Sequence, residues 1–486
     1  MNNLEKSIDQ IKLAIECQKQ IIAKVQFTKA YRIISGIHNL HGKNELYTTK
    51  SEQILKSVKH IVGKSDSKII DSDALTTVRA YGEEIEANLN QLEYEYEKNL
   101  NQLKYEYDEY KRIILVVQKI DKQNGNVFGV MAPLEAINLP DGYSRRIKNI
   151  DDLVPDDYLK VYMSKDYTIE SVVPKTEILT EKYVSVKYNP QNEEHCIWIR
   201  MIAEKIGSVY IHSVYQSLEL ITQSNRVVKF YDFHGVVPEE LYYMGKIEDS
   251  EKMNIEESIL VSNADYIIVA NNAMKRHLLK KYPECKSEFI LFPMNNKDID
   301  KEEWMGTSKH IVTKPIVIYS GGLQKWQLIS EMQDAVEKQR SNYDYRIYVS
   351  DKEEFLELYG ERKCPDVWRV DTLSAEELKK EYEVARYGFI LRDDIVVNRV
   401  ACPTKLIDYI KYGIIPIMKS EMIGDFVEKG LEYVKVEDFI NGKMPSEEQR
   451  KVMMQKNLEV MQKIYEEYDQ GLVTLRRCLL DKESKV

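Results

Sequence analysis

The spacing of apolar positions divides the chain into a long helical part and a part built from short alternating elements. Residues 1 to about 112 carry densely recurring charges and no proline, and their apolar periodicity predicts helix throughout.

This helical part contains an internal repeat, since Asn88–Lys98 and Asn99–Glu109 are two copies of an eleven-residue unit. A repeat of this length has about 3.67 residues per turn and favours a coiled coil. The repeat fits a homo-oligomer formed through 85–112, and it equally fits a long helix packed on the chain's own globular part.

Beyond residue 112, short apolar runs alternate with amphipathic stretches. The pattern predicts strands at 113–119, 158–163, 183–187, 208–212, 226–231, 265–270 and 288–292, and then at 315–320, 345–349, 367–371, 386–391, 414–418 and 432–436. The same pattern predicts helices in most of the segments between these strands, including 192–206, 239–262, 271–282, 326–340, 353–359, 374–384, 403–412 and 421–429. It also predicts a long last helix at 446–482. Strands that alternate with helices indicate parallel sheets covered on both faces.

The predicted fold class is α/β, with two doubly wound Rossmann-like domains facing a cleft. A polar linker near residue 300 separates them. The expected domains are a helical, coiled-coil-compatible region at 1–112, a first Rossmann-like domain at 113–300, a second at 301–445, and a C-terminal helix at 446–486 that crosses back to the first domain. Ligands of such sheets bind at the carboxyl ends of the strands.

Charge and cysteine usage narrow the function classes. The formal net charge of -10 argues against a nucleic-acid partner. The six cysteines are scattered without a CxxC pair, which favours reduced thiols, and the start of the chain is amphipathic rather than a signal peptide. We therefore expect a cytoplasmic protein. Local basic clusters and a tyrosine-rich helix leave room for peripheral contact with the inner face of a membrane.

The most informative segment is 401–417, whose pattern predicts a loop, then a helix that ends at a glycine, and then a buried strand. Pro403 suits a first helical turn, and Leu406, Ile407 and Ile410 give the helix an apolar stripe. Free N–H groups at a helix start bind phosphate, and the Lys405 ammonium would assist them. Asp408 follows at helical spacing, where a carboxylate suits ribose hydroxyls. An ordinary αβ unit with solvated Lys and Asp gives the same pattern.

A second cluster follows the strand predicted at 226–231. Asp232 and His234 fall on the turn after the strand, where ligand residues belong, and Gly235 permits a tight backbone. His234 could donate a hydrogen bond to a substrate with Asp232 orienting it. A helix-capping Asp and a structural His remain the alternative.

Two further clusters lie at strand ends of the second predicted sheet. Gly321 and Gly322 would let backbone N–H groups approach a phosphate, and Lys325 could pair with its oxygens. The Arg392 guanidinium could grip a diphosphate, and Asp394 has a weaker claim on sugar hydroxyls. Each cluster is also consistent with a solvated loop. No pattern of metal ligands occurs, so no metal site is expected.

These clusters together resemble the retaining GT-B glycosyltransferases of family four, over roughly 113–480. The resemblance implies that the second domain binds a nucleotide-diphosphate sugar and the first binds the acceptor, with no cofactor and no metal. The implied donor-binding residues are Gly321, Gly322, Lys325, Arg392, Cys402, Pro403, Thr404, Lys405 and Asp408, and the implied catalytic residues are His234 and Asp232. One departure is visible. The family often has two glutamates eight positions apart, whereas this chain has Val400 at the first and Asp408 at the second.

The resemblance implies transfer to a glycan or lipid-linked acceptor in the synthesis of cell-surface polysaccharide or glycoconjugate. Arg145, Arg146 and Lys148 would then lie near an acceptor phosphate, although a solvated helix face explains them as well. Two other functions stay open: a nucleotide-sugar 2-epimerase, and a non-catalytic GT-B-like scaffold that binds a partner.

Overall fold

The computed structural model describes residues 105–139, 141–293, 314–360 and 367–480, with the single positions Tyr94, Lys98 and Asn101. The coiled-coil prediction for 85–112 and the linker predicted near residue 300 fall almost entirely outside the described residues, so both stay predictions.

The first sheet has eight strands in the order β3-β4-β2-β1-β5-β6-β7-β8. Every neighbouring pair is parallel except β3, which runs antiparallel to β4 at the edge. The strands are β1 Val127–Met131, β2 Leu159–Lys165, β3 Lys175–Ile178, β4 Tyr183–Tyr188, β5 Ser208–His212, β6 Val228–Asp232, β7 Tyr266–Val269 and β8 Glu288–Leu291.

The second sheet has six parallel strands in the order β11-β10-β9-β12-β13-β14. They are β9 Ile316–Ser320, β10 Asp344–Tyr348, β11 Trp368–Asp371, β12 Tyr387–Ile390, β13 Ile415–Met418 and β14 Val434–Lys435. Apolar residues are buried on both faces of this sheet, in two separate clusters. Burial on both faces is typical of a parallel sheet with helical crossovers. The α/β prediction with two parallel-sheet domains is confirmed.

The helices, in chain order, are α1 105–122, α2 Gly142–Asp151, α3 Glu193–Ile206, α4 Glu219–Thr222, α5 Val237–Tyr243, α6 Ile247–Asn263, α7 Asn272–Lys281, α8 Ile329–Lys338, α9 Lys352–Tyr359, α10 Ala375–Val384, α11 Val396–Arg399, α12 Thr404–Lys411, α13 Val436–Ile440 and α14 Glu447–Leu480. Within the part of the chain that the structure describes, none of these helices combines the length and apolar character needed to cross a bilayer. The helix of the informative run is confirmed as α12. It ends before Gly413, whose φ of 65° suits glycine.

Three local predictions are wrong. The strand expected at 113–119 is helical, because Ile113, Val116 and Ile120 place their buried side chains at i, i+3 and i+7 of α1. The helix expected at 239–262 is two helices, separated at Gly245 with a φ of 80°. The segment 421–429 forms turns and no helix.

The strand β1 escaped the sequence pattern because Gly129 interrupts its apolar run. The glycine has a structural purpose: a Cβ there would lie 2.9 Å from the Ser208 carbonyl oxygen of β5. Any side chain at this position would push two central strands apart.

The last helix, α14, contacts β8 of the first sheet and β13 of the second. Gly471 lies at the contact with β8, where an added Cβ would collide with the carbonyl group of Leu291. Because that obstacle is backbone, it cannot move aside. We expect Gly471→Ala to destabilise the protein by about 2 kcal/mol despite the better helix propensity of alanine.

The measurement is urea unfolding of Gly471→Ala beside Val473→Ala, whose side chain is 69% exposed on the same helix. The matched control should change stability by less than about 0.5 kcal/mol. Equal stability of the two variants would show that α14 does not depend on close approach at Gly471.

Candidate functional site

Asp232 is the last residue of β6 and is completely buried. The Arg146 guanidinium donates from Nε to Oδ2 at 2.8 Å and from Nη2 to Oδ1 at 3.0 Å, and the Tyr210 hydroxyl donates to Oδ2 at 2.8 Å. Arg146 also donates from Nη1 to the Phe292 carbonyl oxygen at 2.7 Å. Burial raises the pKa of Asp232, but the positive charge of Arg146 and that of His234 when protonated outweigh it, so the pKa falls to about 2.

His212 ends β5 in register with Asp232, so the carboxyl ends of two neighbouring strands bring their side chains together. Nδ1 of His212 lies 2.9 Å from Nε2 of His234. Burial lowers the pKa of His234 to about 4, although Asp232 acts in the other direction. Burial, and then His234, hold the pKa of His212 well below its usual value. Both imidazoles are therefore neutral near pH 7.

The structure does not show the direct hydrogen bond by which Asp232 would orient His234. Nε2 of His234 lies 3.7 Å from Asp232 Oδ2, which is beyond hydrogen-bonding distance. The direct partner of His234 is His212, which sequence reasoning missed. A signal was available, because His212 ends a fully buried strand at the same position that Asp232 has in the next one.

His212, Asp232 and His234 hold their potential ligand atoms within 4.8 Å of one another. This spacing alone would suit a metal ion. However, the Arg146 guanidinium already engages both oxygens of Asp232, and its positive charge would repel a divalent cation. The residues therefore fit a metal poorly.

The second sheet carries two buried cations. Lys405, in the first turn of α12, donates from Nζ to Gln327 Oε1 at 2.7 Å, and Nζ lies 4.1 Å from the centre of the Tyr319 ring. Arg392 follows β12 and donates from Nη1 to Asn398 Oδ1 at 3.1 Å. Its Nε is buried and has no hydrogen-bond partner within the described ranges.

The buried environment of Lys405 and Arg392 makes the charged form of each side chain less favourable. Burial, followed by repulsion from Arg392, holds the pKa of Lys405 well below its usual value. Burial also lowers the pKa of Arg392 to about 10, although Tyr319 and Glu240 act in the other direction. No described carboxylate forms an ion pair with either side chain. The pair consequently forms a site that favours an anion.

Gly321 borders this anion site. A Cβ at Gly321 would lie 3.0 Å from Nζ of Lys405, and its φ of 152° also favours glycine. Gly322 is next to it, and its carbonyl oxygen accepts from the Tyr319 hydroxyl at 2.5 Å. The half-buried Cys402, the buried Pro403 and the half-buried Thr404 lead into the start of α12.

Other predicted residues lie elsewhere. Lys325 is exposed, with Nζ 5.1 Å from the centre of the Tyr243 ring. Asp394 forms an exposed ion pair with Arg399. Asp408 is half-buried. Burial raises the pKa of Tyr382 and of Tyr465, and the nearby Asp408 carboxylate raises both further.

The three basic residues expected near an acceptor phosphate, Arg145, Arg146 and Lys148, also lie in different environments. Arg146 is buried and bound to Asp232, so it is unavailable to an acceptor phosphate. Lys148 is exposed, and Arg145 is half-buried.

The two sheets meet at the loop that precedes α12. Asn271, at the start of α7, donates from Nδ2 to the carbonyl oxygens of Val400 at 3.0 Å and Ala401 at 3.1 Å. The backbone N–H of Asn272 donates to Asp425 Oδ2 at 3.0 Å. The chain that follows β7 of the first sheet thus holds the loop that leads to the anion site.

No protein-family model matches this chain, and no curated protein does. Solved structures do match. Sucrose-phosphate synthase from Thermosynechococcus elongatus is 11% identical with a TM-score of 0.51, and the match covers 71% of this chain and 94% of that one. Anabaena HepE, solved in complex with UDP-glucose, is 10% identical with a TM-score of 0.51, and the match covers 74% of this chain and 99% of that one. The fold is therefore GT-B, as the resemblance implied.

Proposed function

We propose that this protein is a glycosyltransferase that moves a sugar from a nucleotide-diphosphate sugar to a glycan or lipid-linked acceptor, with retention of configuration and without a metal ion. The observation that carries the proposal is the buried pair Arg392 and Lys405, which has no carboxylate partner among the described residues. In its support, HepE, which shares the fold, was solved with UDP-glucose.

A diphosphate matches the anion site in charge and in hydrogen bonding. Taking a cation out of water costs several kcal/mol unless an anion compensates it. A diphosphate would compensate both cations, and it would accept from the unpaired Nε of Arg392. The first backbone N–H groups of α12 lack partners inside the helix and would add donors beside Lys405.

The same groups suit the chemistry of glycosyl transfer. Negative charge develops on the diphosphate as its bond to the sugar breaks, and fixed positive charges stabilise that change. The Arg392 guanidinium and Lys405 ammonium would supply the charge that a divalent ion supplies in other enzymes. Asp408, one helical turn beyond Lys405, would accept hydrogen bonds from ribose hydroxyls.

A thermal-shift screen of UDP-, GDP-, CMP- and ADP-sugars, with inorganic diphosphate as a separate arm, tests the proposal. A ligand at about 100 times its Kd stabilises the folded state by about 2.7 kcal/mol, which raises the melting temperature by about 2–4 °C. We expect one nucleotide class to produce this shift and to release nucleoside diphosphate on incubation with an acceptor extract.

Three outcomes would contradict the proposal in different ways. If no sugar nucleotide shifts the melting temperature, the protein is not a transferase of this class. If the donor sugar is epimerised in the absence of an acceptor, the protein is a nucleotide-sugar 2-epimerase and not a transferase. A product with inverted configuration at the anomeric carbon, read by NMR, would remove retention alone.

A further inference from the structure

The hydrogen bond between His212 and His234 can be made in two ways. Either Nδ1–H of His212 donates to a bare Nε2 of His234, or Nε2–H of His234 donates to a bare Nδ1 of His212. The nitrogen positions alone permit both. The choice decides which nitrogen of His234 carries its proton.

The other nitrogen of His212 separates the two cases. Nε2 of His212 is buried and has no hydrogen-bond partner in the described part of the chain. If His212 accepted through Nδ1, its proton would sit on Nε2 and leave a buried N–H without an acceptor. If His212 donates through Nδ1, Nε2 is a bare lone pair. An orphaned buried N–H is rarer in proteins than an unsatisfied acceptor, so the second arrangement is favoured.

We propose that His212 is a positioning residue, which donates its Nδ1–H to Nε2 of His234 and thereby holds the proton of His234 on Nδ1. Nδ1 of His234 forms no hydrogen bond with the described residues, and the side chain keeps 11% of its surface exposed at the carboxyl end of the sheet. His234 therefore presents a donor, not an acceptor, to whatever binds there. This inference rests on the proposed function, in which the ligand is an oxygen of the donor sugar or its diphosphate.

Residues packed around His212 and His234 keep the two rings in place and determine where their protons are attracted. Tyr143 of α2 packs its ring 4.8 Å from the His234 ring, and its hydroxyl donates to the His212 carbonyl oxygen at 3.5 Å. The charged groups that act on His234 are Asp232, Arg146 and Asp141. Asp232 Oδ2 lies 3.8 Å from Nδ1 of His212 and 3.7 Å from Nε2 of His234, so it would attract a proton to either atom.

That last contact predicts the effect of removing His212. In His212→Leu, Nε2 of His234 loses its donor while Asp232 remains nearby. The proton of His234 then moves to Nε2, where the carboxylate attracts it, and Nδ1 can no longer donate to a ligand. Loss of one preorganised donor lowers kcat by about 100-fold, with KM changing much less.

The direct test is ¹⁵N NMR of the full chain labelled at histidine, with His234→Asn to assign the signal. We expect the Nδ1–H tautomer for His234 in the wild type and the Nε2–H tautomer in His212→Leu. His212→Asn keeps an amide donor and should restore both the wild-type tautomer and part of kcat. His277→Asn, at a half-buried histidine bound to Glu239, is the matched control and should alter neither.

An Nε2–H tautomer in the wild type overturns the proposal. So does an unchanged tautomer in a folded His212→Leu variant, or an equal loss of kcat in the Leu and Asn variants, because each would reduce His212 to a packing role. The NMR result does not require turnover. If no nucleotide sugar binds the wild type, the proposed function fails while the tautomer still decides the role of His212.

Discussion

Lys405→Met is expected to weaken donor binding and, at the same time, to raise the melting temperature of the free protein. Lys405 is buried beside a second buried cation, and its Nζ has one neutral hydrogen-bond acceptor, Gln327. Methionine has a similar length and removes the desolvation cost, so the unliganded protein should gain about 1–2 kcal/mol. The diphosphate loses a charged partner worth about 2–5 kcal/mol, which weakens binding by about 30- to 4,000-fold.

The measurement is thermal unfolding with and without the nucleotide sugar that binds the wild type. Lys338→Met is the matched control, because Lys338 is exposed in the last turn of α8 and should affect neither quantity. Opposite signs for stability and binding are the signature of a residue retained for a ligand. A Lys405→Met variant that melts at a lower temperature and still binds the donor would make the lysine structural.

The sequence was sufficient for the parts of the fold that depend on short-range pattern. The buried runs of β5 and β6 and the glycine that follows α12 are predictable from residues that are close together in the chain, whereas Asp232, expected on the turn, is still part of β6. The run Ile113–Val117 shows the limit of that pattern, since a continuous apolar run fits a strand and a buried helix equally.

The candidate site depends on pairs that no local pattern reveals. Arg146 and Asp232 are 86 positions apart, and Gln327 and Lys405 are 78 apart. The basic neighbours Arg145 and Lys148 suggest a surface cluster that includes Arg146, whereas the helix turns only Arg146 inward. Lys325 and Lys405 are equally plausible phosphate ligands in the sequence, and tertiary packing places only Lys405 beside Gly321.

Arg146→Met is expected to destabilise the protein by about 3–5 kcal/mol, because it leaves Asp232 charged, buried and without its bidentate partner. The double variant Arg146→Met with Asp232→Asn removes both charges and should recover a large part of that loss. Urea unfolding of the two single variants and the double variant gives the coupling energy. Additive effects would show that the pair is not coupled and that another group compensates Asp232.

The pH dependence of stability gives the same pair an independent test. Asp232 has a pKa of about 2 in the folded protein and 3.8 without its surroundings, so its stabilisation is complete above pH 3.8 and is lost as the pH falls through 2. This shift corresponds to about 2 kcal/mol. His234, with a pKa of about 4 instead of 6.5, makes stability fall as the pH drops from 6.5 to 4. Unfolding measured across pH 2–7 should therefore show both losses in the wild type. The double variant should lack the lower one, because it has no carboxylate at position 232. A double variant that loses stability below pH 3.8 as steeply as the wild type would assign the acid transition to other carboxylates.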